Sequence, residues 1–200
     1  ATVFDHFCGG VNENDCLSVV DKMYTKGVSS VLDYSVEGKE EEAQFDAALA
    51  MTLKTIEFAK ERQAIPFAVF KPTGLGRLDL YEKVGSKATL TDSEKDEWDR
   101  VVDRFDLVCK TAQFKDVALL IDAEESWMQD AADDLVAQMM QKYNKEKAIV
   151  FNTLQMYRWD RLDYLKQLHQ KAKQEGFYIG MKIVRGAYME KENARAEAKG

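Results

Sequence analysis

The chain has 200 residues, 46% of them hydrophobic, which is enough for one sizeable core, and it carries a formal net charge of −7. That acidic balance argues against a nucleic-acid partner, because phosphate binding relies on a basic surface. No apolar run approaches the roughly 20 residues that span a bilayer and no charged-then-apolar leader opens the chain, so a soluble protein is expected. Cys8, Cys16 and Cys109 are odd in number and lack a close C-x-x-C pairing, which reads as reduced thiols in a reducing compartment. His6, Cys8 and Cys16 lack the short paired spacings of a zinc site, so no metal is expected.

Phe7-Cys8-Gly9-Gly10 reads as a turn into a helix capped near Asn14 or Asp15, with Leu17, Val20 and Met23 on one face. From Gly27 strands and helices alternate. Val28 to Ser35 is a first strand, and Val36 to Glu42 is a solvated loop whose acids favour the start of a helix. Phe45, Leu49, Thr52, Leu53 and Ile56 then mark a helical stripe that must face a sheet. Pro66 to Phe70 is the second strand. Lys71 follows it, either snorkelling to the surface or holding an anionic substrate at the strand end. Tyr81 to Leu90 reads as a surface excursion. Thr91-Asp92-Ser93-Glu94 is a capping box, opening a helix with Trp98, Val101, Val102, Phe105 and Val108 on its apolar face.

The third strand, Ala118 to Ile121, runs into Asp122-Ala123-Glu124-Glu125, which is a helix-capping cluster or contains a catalytic carboxylate. Asp122 is placed to face the mouth of a sheet, whereas Glu124 and Glu125 are expected to serve the next helix. A paired-carboxylate hydrolase stays open, since carboxyl separations cannot be read from sequence. Met128, Ala132, Leu135, Val136, Met139, Met140 and Tyr143 form the next helical stripe, which Asn144 stops. Ala148 to Phe151 is the fourth strand, with Asn152 to Tyr157 following it. Trp159, Leu162, Leu165, Leu168 and Ala172 build a helix that Gly176 terminates, and His169 beside that stripe is a packed or surface residue.

Ile179, Met181, Ile183 and Val184 make the fifth strand, putting Lys182, Arg185 and Tyr188 at or near its carboxyl end. Strands beginning near residues 28, 66, 118, 148 and 178 suit a parallel barrel or a doubly wound sheet. No G-x-G-x-x-G follows the first strand, and polar residues end the later strands. Both facts favour a barrel, where all loops converge on one mouth.

Five pieces in order resemble the proline dehydrogenase family: Leu32-Asp33-Tyr34, Lys71, Asp122-Ala123-Glu124-Glu125, Asn152-Thr153-Leu154-Gln155 with Tyr157, and Lys182-Ile183-Val184-Arg185-Gly186-Ala187-Tyr188. They cover nearly the whole chain and are most similar to the monofunctional branch. One departure concerns charge geometry: bacterial members often carry arginine where Lys182 stands and lysine where Arg185 stands. Positive charge is kept, but a lysine lacks the guanidinium's fork of hydrogen bonds.

The resemblance implies an α/β (β/α)8 TIM-type barrel, with residues 1–26 as an N-terminal helix and 27–200 as the first five βα units. About 250 residues make a full barrel, so a piece of a longer enzyme is expected, with the family's arginine pair on later strands. The implied activity is FAD-dependent oxidation of L-proline to pyrroline-5-carboxylate by hydride transfer to flavin N5, electrons passing to a membrane quinone. Peripheral membrane association fits that acceptor, in a bacterial cytoplasm or at an inner membrane, or in the mitochondrion of a eukaryote. By the same resemblance, Asp122 and Lys182 are catalytic, and Lys71 and Tyr188 bind substrate. Ala123, Gln155, Val184, Arg185, Gly186 and Ala187 contact FAD. An amide such as Gln155 can donate and accept at once, which suits the edge of a flavin ring. The alternatives are a hydroxyproline dehydrogenase, a Schiff-base barrel using Lys71 or Lys182, and a non-catalytic binding module.

Overall fold

Compact runs of β-branched, leucine and aromatic residues, each followed by an amphipathic helix, can bury themselves only as parallel strands covered by helices. The chain does this. A computed structural model describes residues 9–33 and 40–199. His6, the turn at Phe7-Cys8 and Tyr34 lie outside the described residues, as do residues 36–39 of the expected solvated loop.

The amino-terminal half contains α1 (Leu17–Tyr24), β1 (Val31–Leu32), α2 (Glu42–Lys60) and β2 (Phe67–Phe70). A 3-10 turn (Pro72–Gly74), α3 (Leu78–Gly85) and α4 (Asp92–Lys115) precede β3 (Ala118–Ile121). Then come α5 (Ser126–Tyr143), β4 (Val150–Gln155), α6 (Arg161–Glu175), β5 (Met181–Val184) and α7 (Met189–Lys199).

The five strands lie side by side in chain order, and every neighbouring pair is parallel. A doubly wound sheet would reverse its strand order at a switch point, and none occurs. Register adds to this. The first half of β4 pairs with β3 through Leu119↔Val150, whereas its second half pairs with β5 from Asn152↔Met181 to Gln155↔Val184. Sliding of this kind is the stagger that a curved, tilted sheet requires. The outer strands β1 and β5 leave Val31 and Ile183 exposed.

Ile56, Phe105, Val108, Leu119, Ile121, Met128, Leu135 and Met140 form the core between sheet and helices. Phe70 and Phe105 meet edge to face at 5.1 Å. The Thr91 capping box is present: Thr91 Oγ1 accepts from the Glu94 N–H at 3.2 Å and Glu94 accepts from the Thr91 N–H at 2.9 Å.

Several expectations need correction. β1 is only Val31–Leu32, with Val28 exposed beyond the turn at Gly27, whose φ is 75°. β4 continues through Asn152-Thr153-Leu154-Gln155, because each polar side chain there finds a buried partner. Tyr81 is not part of a surface excursion. It is fully buried in α3, donates its hydroxyl to Pro72 O at 2.9 Å and packs edge-on against Trp98. Leu168 and Ala172 are buried as expected, but Trp159 and Leu162 are exposed, and Arg161 turns inward at the start of α6. At α1 the N-terminal bonds come from Asn12, whose side-chain oxygen accepts from the N–H groups of Asn14 and Asp15.

Asn144 ends α5 and ties the start of β4 to the segment that leads into β5. Its Oδ1 accepts from the N–H groups of Ile149 and Val150, and its Nδ2 donates to Val150 O and Tyr178 O. Truncation would leave two buried donors unpaired. Asn144→Ala is expected to destabilise the full-length protein by about 2–5 kcal/mol, measured by urea unfolding, and a loss under about 0.5 kcal/mol would contradict this account.

Candidate active site

Because the strands are parallel, their carboxyl ends share one rim, and the residues just past those ends meet there. Lys71 follows β2, Asp122 follows β3, Gln155 ends β4 and Lys182 lies in β5. The Asp122 N–H donates to Phe70 O at 3.0 Å, extending the β2–β3 ladder to the rim. Across the mouth, Lys182 Nζ forms an ion pair with Asp122 Oδ1. The two strands that this pair links are not neighbours, so the pair reaches across β4.

Asp33 joins the group from the end of β1. Desolvation by the surrounding protein raises its carboxyl above the usual aspartate range; Lys71 opposes this, Asp122 adds to it and Lys182 opposes it. Charges carried by β5 and by the ends of β2 and β3 therefore act on Asp33. Asp33 was legible in the sequence only as part of the Leu32-Asp33-Tyr34 motif.

Behind these charges lies a hydrogen-bonded layer. Glu124 is 5% exposed and does not cap the following helix as expected. Its carboxylate instead accepts from the Thr73 N–H at 2.9 Å and the Thr73 hydroxyl at 2.7 Å. Burial pushes its carboxyl up, and the Thr73 bonds oppose that shift. Gln155 donates through Nε2 to Glu124 O at 2.6 Å, whereas its Oε1 is buried with no hydrogen-bond partner. A buried acceptor left unpaired costs about 1–3 kcal/mol, so its place invites a donor from a bound group. A flavin ring carries such a donor, and the amide fits it.

Gln129 carries the layer outward, accepting from the Glu124 N–H at 3.0 Å and donating to Asp133 at 2.8 Å. Asp133, 3% exposed, also accepts from Asn152 at 2.9 Å and from Arg161 at 2.5 Å. Burial pushes the Asp133 carboxyl up, with the Arg161 charge as the main opposing influence.

The remaining residues singled out from sequence are less tightly held. Ala123 is buried beside Glu124, and Val184 O accepts from the Met156 N–H. Arg185, Gly186 and Ala187 are exposed on the loop after β5. Tyr188 opens α7 with a left-handed φ of 65°, and the Lys191 ammonium lies 5.3 Å from its ring centroid. α7 itself folds back on the start of α5: Glu192 accepts from the Ser126 N–H and hydroxyl at 3.0 and 2.9 Å, and Lys191 pairs with Glu125. A carboxylate there meets unpaired first-turn N–H groups and the positive end of the helix dipole. Among the described residues no cluster of three His, Cys, Asp or Glu side chains could hold a metal, and no helix is long and apolar enough to cross a membrane.

Parallel strands in chain order, outer helices and a rim of charged and amide side chains define a βα-barrel protein of the class that carries its chemistry at that rim. The chain belongs to the proline dehydrogenase family, whose sequence model matches residues 16–200. It is 37% identical over 186 residues to the carbapenem antibiotics biosynthesis protein CarD of Pectobacterium carotovorum subsp. carotovorum, covering 93% of this chain and 50% of that protein. It is 29% identical over 233 residues to the mitochondrial proline dehydrogenase 1 of Dictyostelium discoideum, covering 97% of this chain and 41% of that protein. The chain thus spans about half the length of the curated relatives it matches. The fold is similar to that of proline utilization A from Bdellovibrio bacteriovorus inactivated by N-propargylglycine, with a TM-score of 0.76 at 17% identity over 94% of this chain and 20% of that one. That likeness is one of fold, and the fold is of the TIM-barrel type.

Asp133 tests the layer behind the rim. Asp133→Ala leaves Arg161, Gln129 and Asn152 facing a space without their acceptor. It is expected to cost about 3–5 kcal/mol in urea unfolding of the full-length protein, whereas replacing Asp133 and Arg161 together by Leu and Met should recover most of it. Equal losses in the single and double variants would show that the pair does not act as a unit.

Proposed function

We propose that residues 27–200 are the amino-terminal part of a (β/α)8 barrel that oxidises L-proline to pyrroline-5-carboxylate with bound FAD, residues 1–26 supplying a leading helix. The observation that carries this reading is Gln155 in a chain of this family. Its amide nitrogen is fixed on Glu124 O and its buried oxygen awaits a donor at the rim.

FAD, when bound, supplies the acceptor for the hydride that leaves the substrate ring. The chain's own residues do the rest. Lys71, at the end of β2, holds the substrate carboxylate by a charge-assisted contact. Lys182 keeps positive charge at the mouth next to the cofactor, and Asp122 holds that ammonium in place through their ion pair. Gln155 would hold the cofactor edge, and Ala123, Val184, Arg185, Gly186 and Ala187 would line the rest of its site. Tyr188 bounds the substrate side. Positioning of this kind supplies several kcal/mol of the barrier. Electrons then pass to a quinone at a membrane, to which the protein binds peripherally, in a bacterial cell or in the mitochondrion.

Lys71→Ala should weaken proline oxidation roughly ten- to a hundredfold with FAD retained, and Gln155→Ala should lower FAD content while changing affinity for a carboxylate inhibitor much less. FAD content and inhibitor titration of both full-length variants decide it. Loss of flavin from Lys71→Ala with normal inhibitor binding would overturn the assignment. Borohydride trapping of substrate on Lys71 or Lys182 would favour the Schiff-base barrel, and preferred oxidation of hydroxyproline would change the substrate but keep the site.

A further inference from the structure

We infer that Glu124 is a positioning residue that sets the substrate lysine and the cofactor amide in register with each other, acting through Thr73 on one side and Gln155 on the other. The inference rests on the roles proposed above for Lys71 and Gln155.

All four polar groups of Glu124 are occupied, by residues from two strand ends and from α5. Its two carboxylate oxygens accept from the Thr73 N–H and hydroxyl, its carbonyl accepts from Gln155 Nε2, and its N–H donates to Gln129. Thr73 sits two residues beyond Lys71, inside the 3-10 turn that carries the chain away from β2. That turn has a second anchor, the Tyr81 hydroxyl on Pro72 O. With both ends pinned, the backbone that leaves Lys71 has one path. On the other side the Gln155 amide is oriented by the Glu124 carbonyl, which fixes Oε1 as the group left for the cofactor.

Chemistry favours a positioning role over simple stability. A carboxylate 5% exposed and facing a hydroxyl and an amide N–H, with no hydrogen bond to a cation among the described residues, is an expensive way to fasten two loops. A neutral amide or an apolar contact would fasten them at less cost. What the carboxylate adds is a two-point grip on Thr73, both oxygens accepting at once, which fixes the orientation of the turn as well as its distance. Lys71 also lies near enough for its charge to act on the Glu124 carboxyl, opposing the upward shift that burial causes.

The test uses the full-length protein loaded with FAD and a non-oxidisable proline analogue that keeps the carboxylate. Thr73→Val removes the hydroxyl donor at nearly constant volume, Thr73→Ser keeps it, and Glu124→Gln removes one acceptor and the charge. Thr73→Val should raise the analogue's Kd roughly three- to tenfold with FAD content and visible spectrum unchanged, and Thr73→Ser should restore the parent value. Glu124→Gln should raise that Kd at least as much and also shift the flavin absorption bands. Variants that melt at lower temperature yet bind analogue and FAD as the parent does would overturn the inference and leave Glu124 a structural residue. A parent that binds neither FAD nor the analogue would overturn the flavoenzyme reading itself. Should Glu124→Gln fail to fold, the Thr73 pair still decides.

Discussion

Parallel pairing of each strand with its sequence neighbour is the constraint on which everything else in this chain depends. Because β1 to β5 point the same way, Asp33, Lys71, Asp122, Gln155 and Lys182 reach one rim although they are spread over some 150 residues of sequence. The helices that cover the sheet bury Phe105, Leu135 and Met140 against it. Chemistry and core are thus separated: Lys71 and Asp122 just past their strands, with Gln155 and Lys182 in the later ones, serve the mouth, while the helix faces serve the core.

The rim is charged and the layer beneath it is buried, which brings a cost that must be met locally. Lys182 and Asp122 remain partly exposed, so their pairing is cheap and adjustable. Asp133 and Arg161 are each almost wholly buried, and a buried pair of that kind contributes little net stability over an apolar substitute. Its value lies elsewhere. Gln129, Asn152 and Tyr164 converge on it, so α5, β4 and α6 are held in one arrangement beneath the side chains that face the mouth. Rigid support of this type is what lets a rim residue such as Gln155 keep a polar atom buried and unpaired.

Much of this was legible in sequence where the physics is local. Phe67 to Phe70 and Ala118 to Ile121 read as strands because their apolar runs are short and bounded, and the Thr91–Glu94 box and the stop at Asn144 depend only on near neighbours. What failed depends on distant partners. Glu124 looked like a helix cap until Thr73, 51 residues away, supplied its donors. Asn152 to Gln155 looked like loop because they are polar, and they are strand because Asp133, Ile121 O and Glu124 O receive them. The start of α6 followed Arg161 to Asp133 and left Trp159 and Leu162 outside. Tyr81 was missed because α3 is only eight residues long and mixes its buried side chains with charges. Among the rim residues, Lys71, Asp122 and Lys182 were marked by position at strand ends, whereas Asp33 was visible only through a motif.

The central claim is that this rim brings a flavin and proline together. Anaerobic addition of L-proline to the FAD-loaded full-length protein, followed by visible absorption, tests it most directly. The account predicts that the flavin bands bleach with L-proline and return on addition of a quinone analogue. Bands that persist at saturating proline, in folded protein that demonstrably holds FAD, would contradict it.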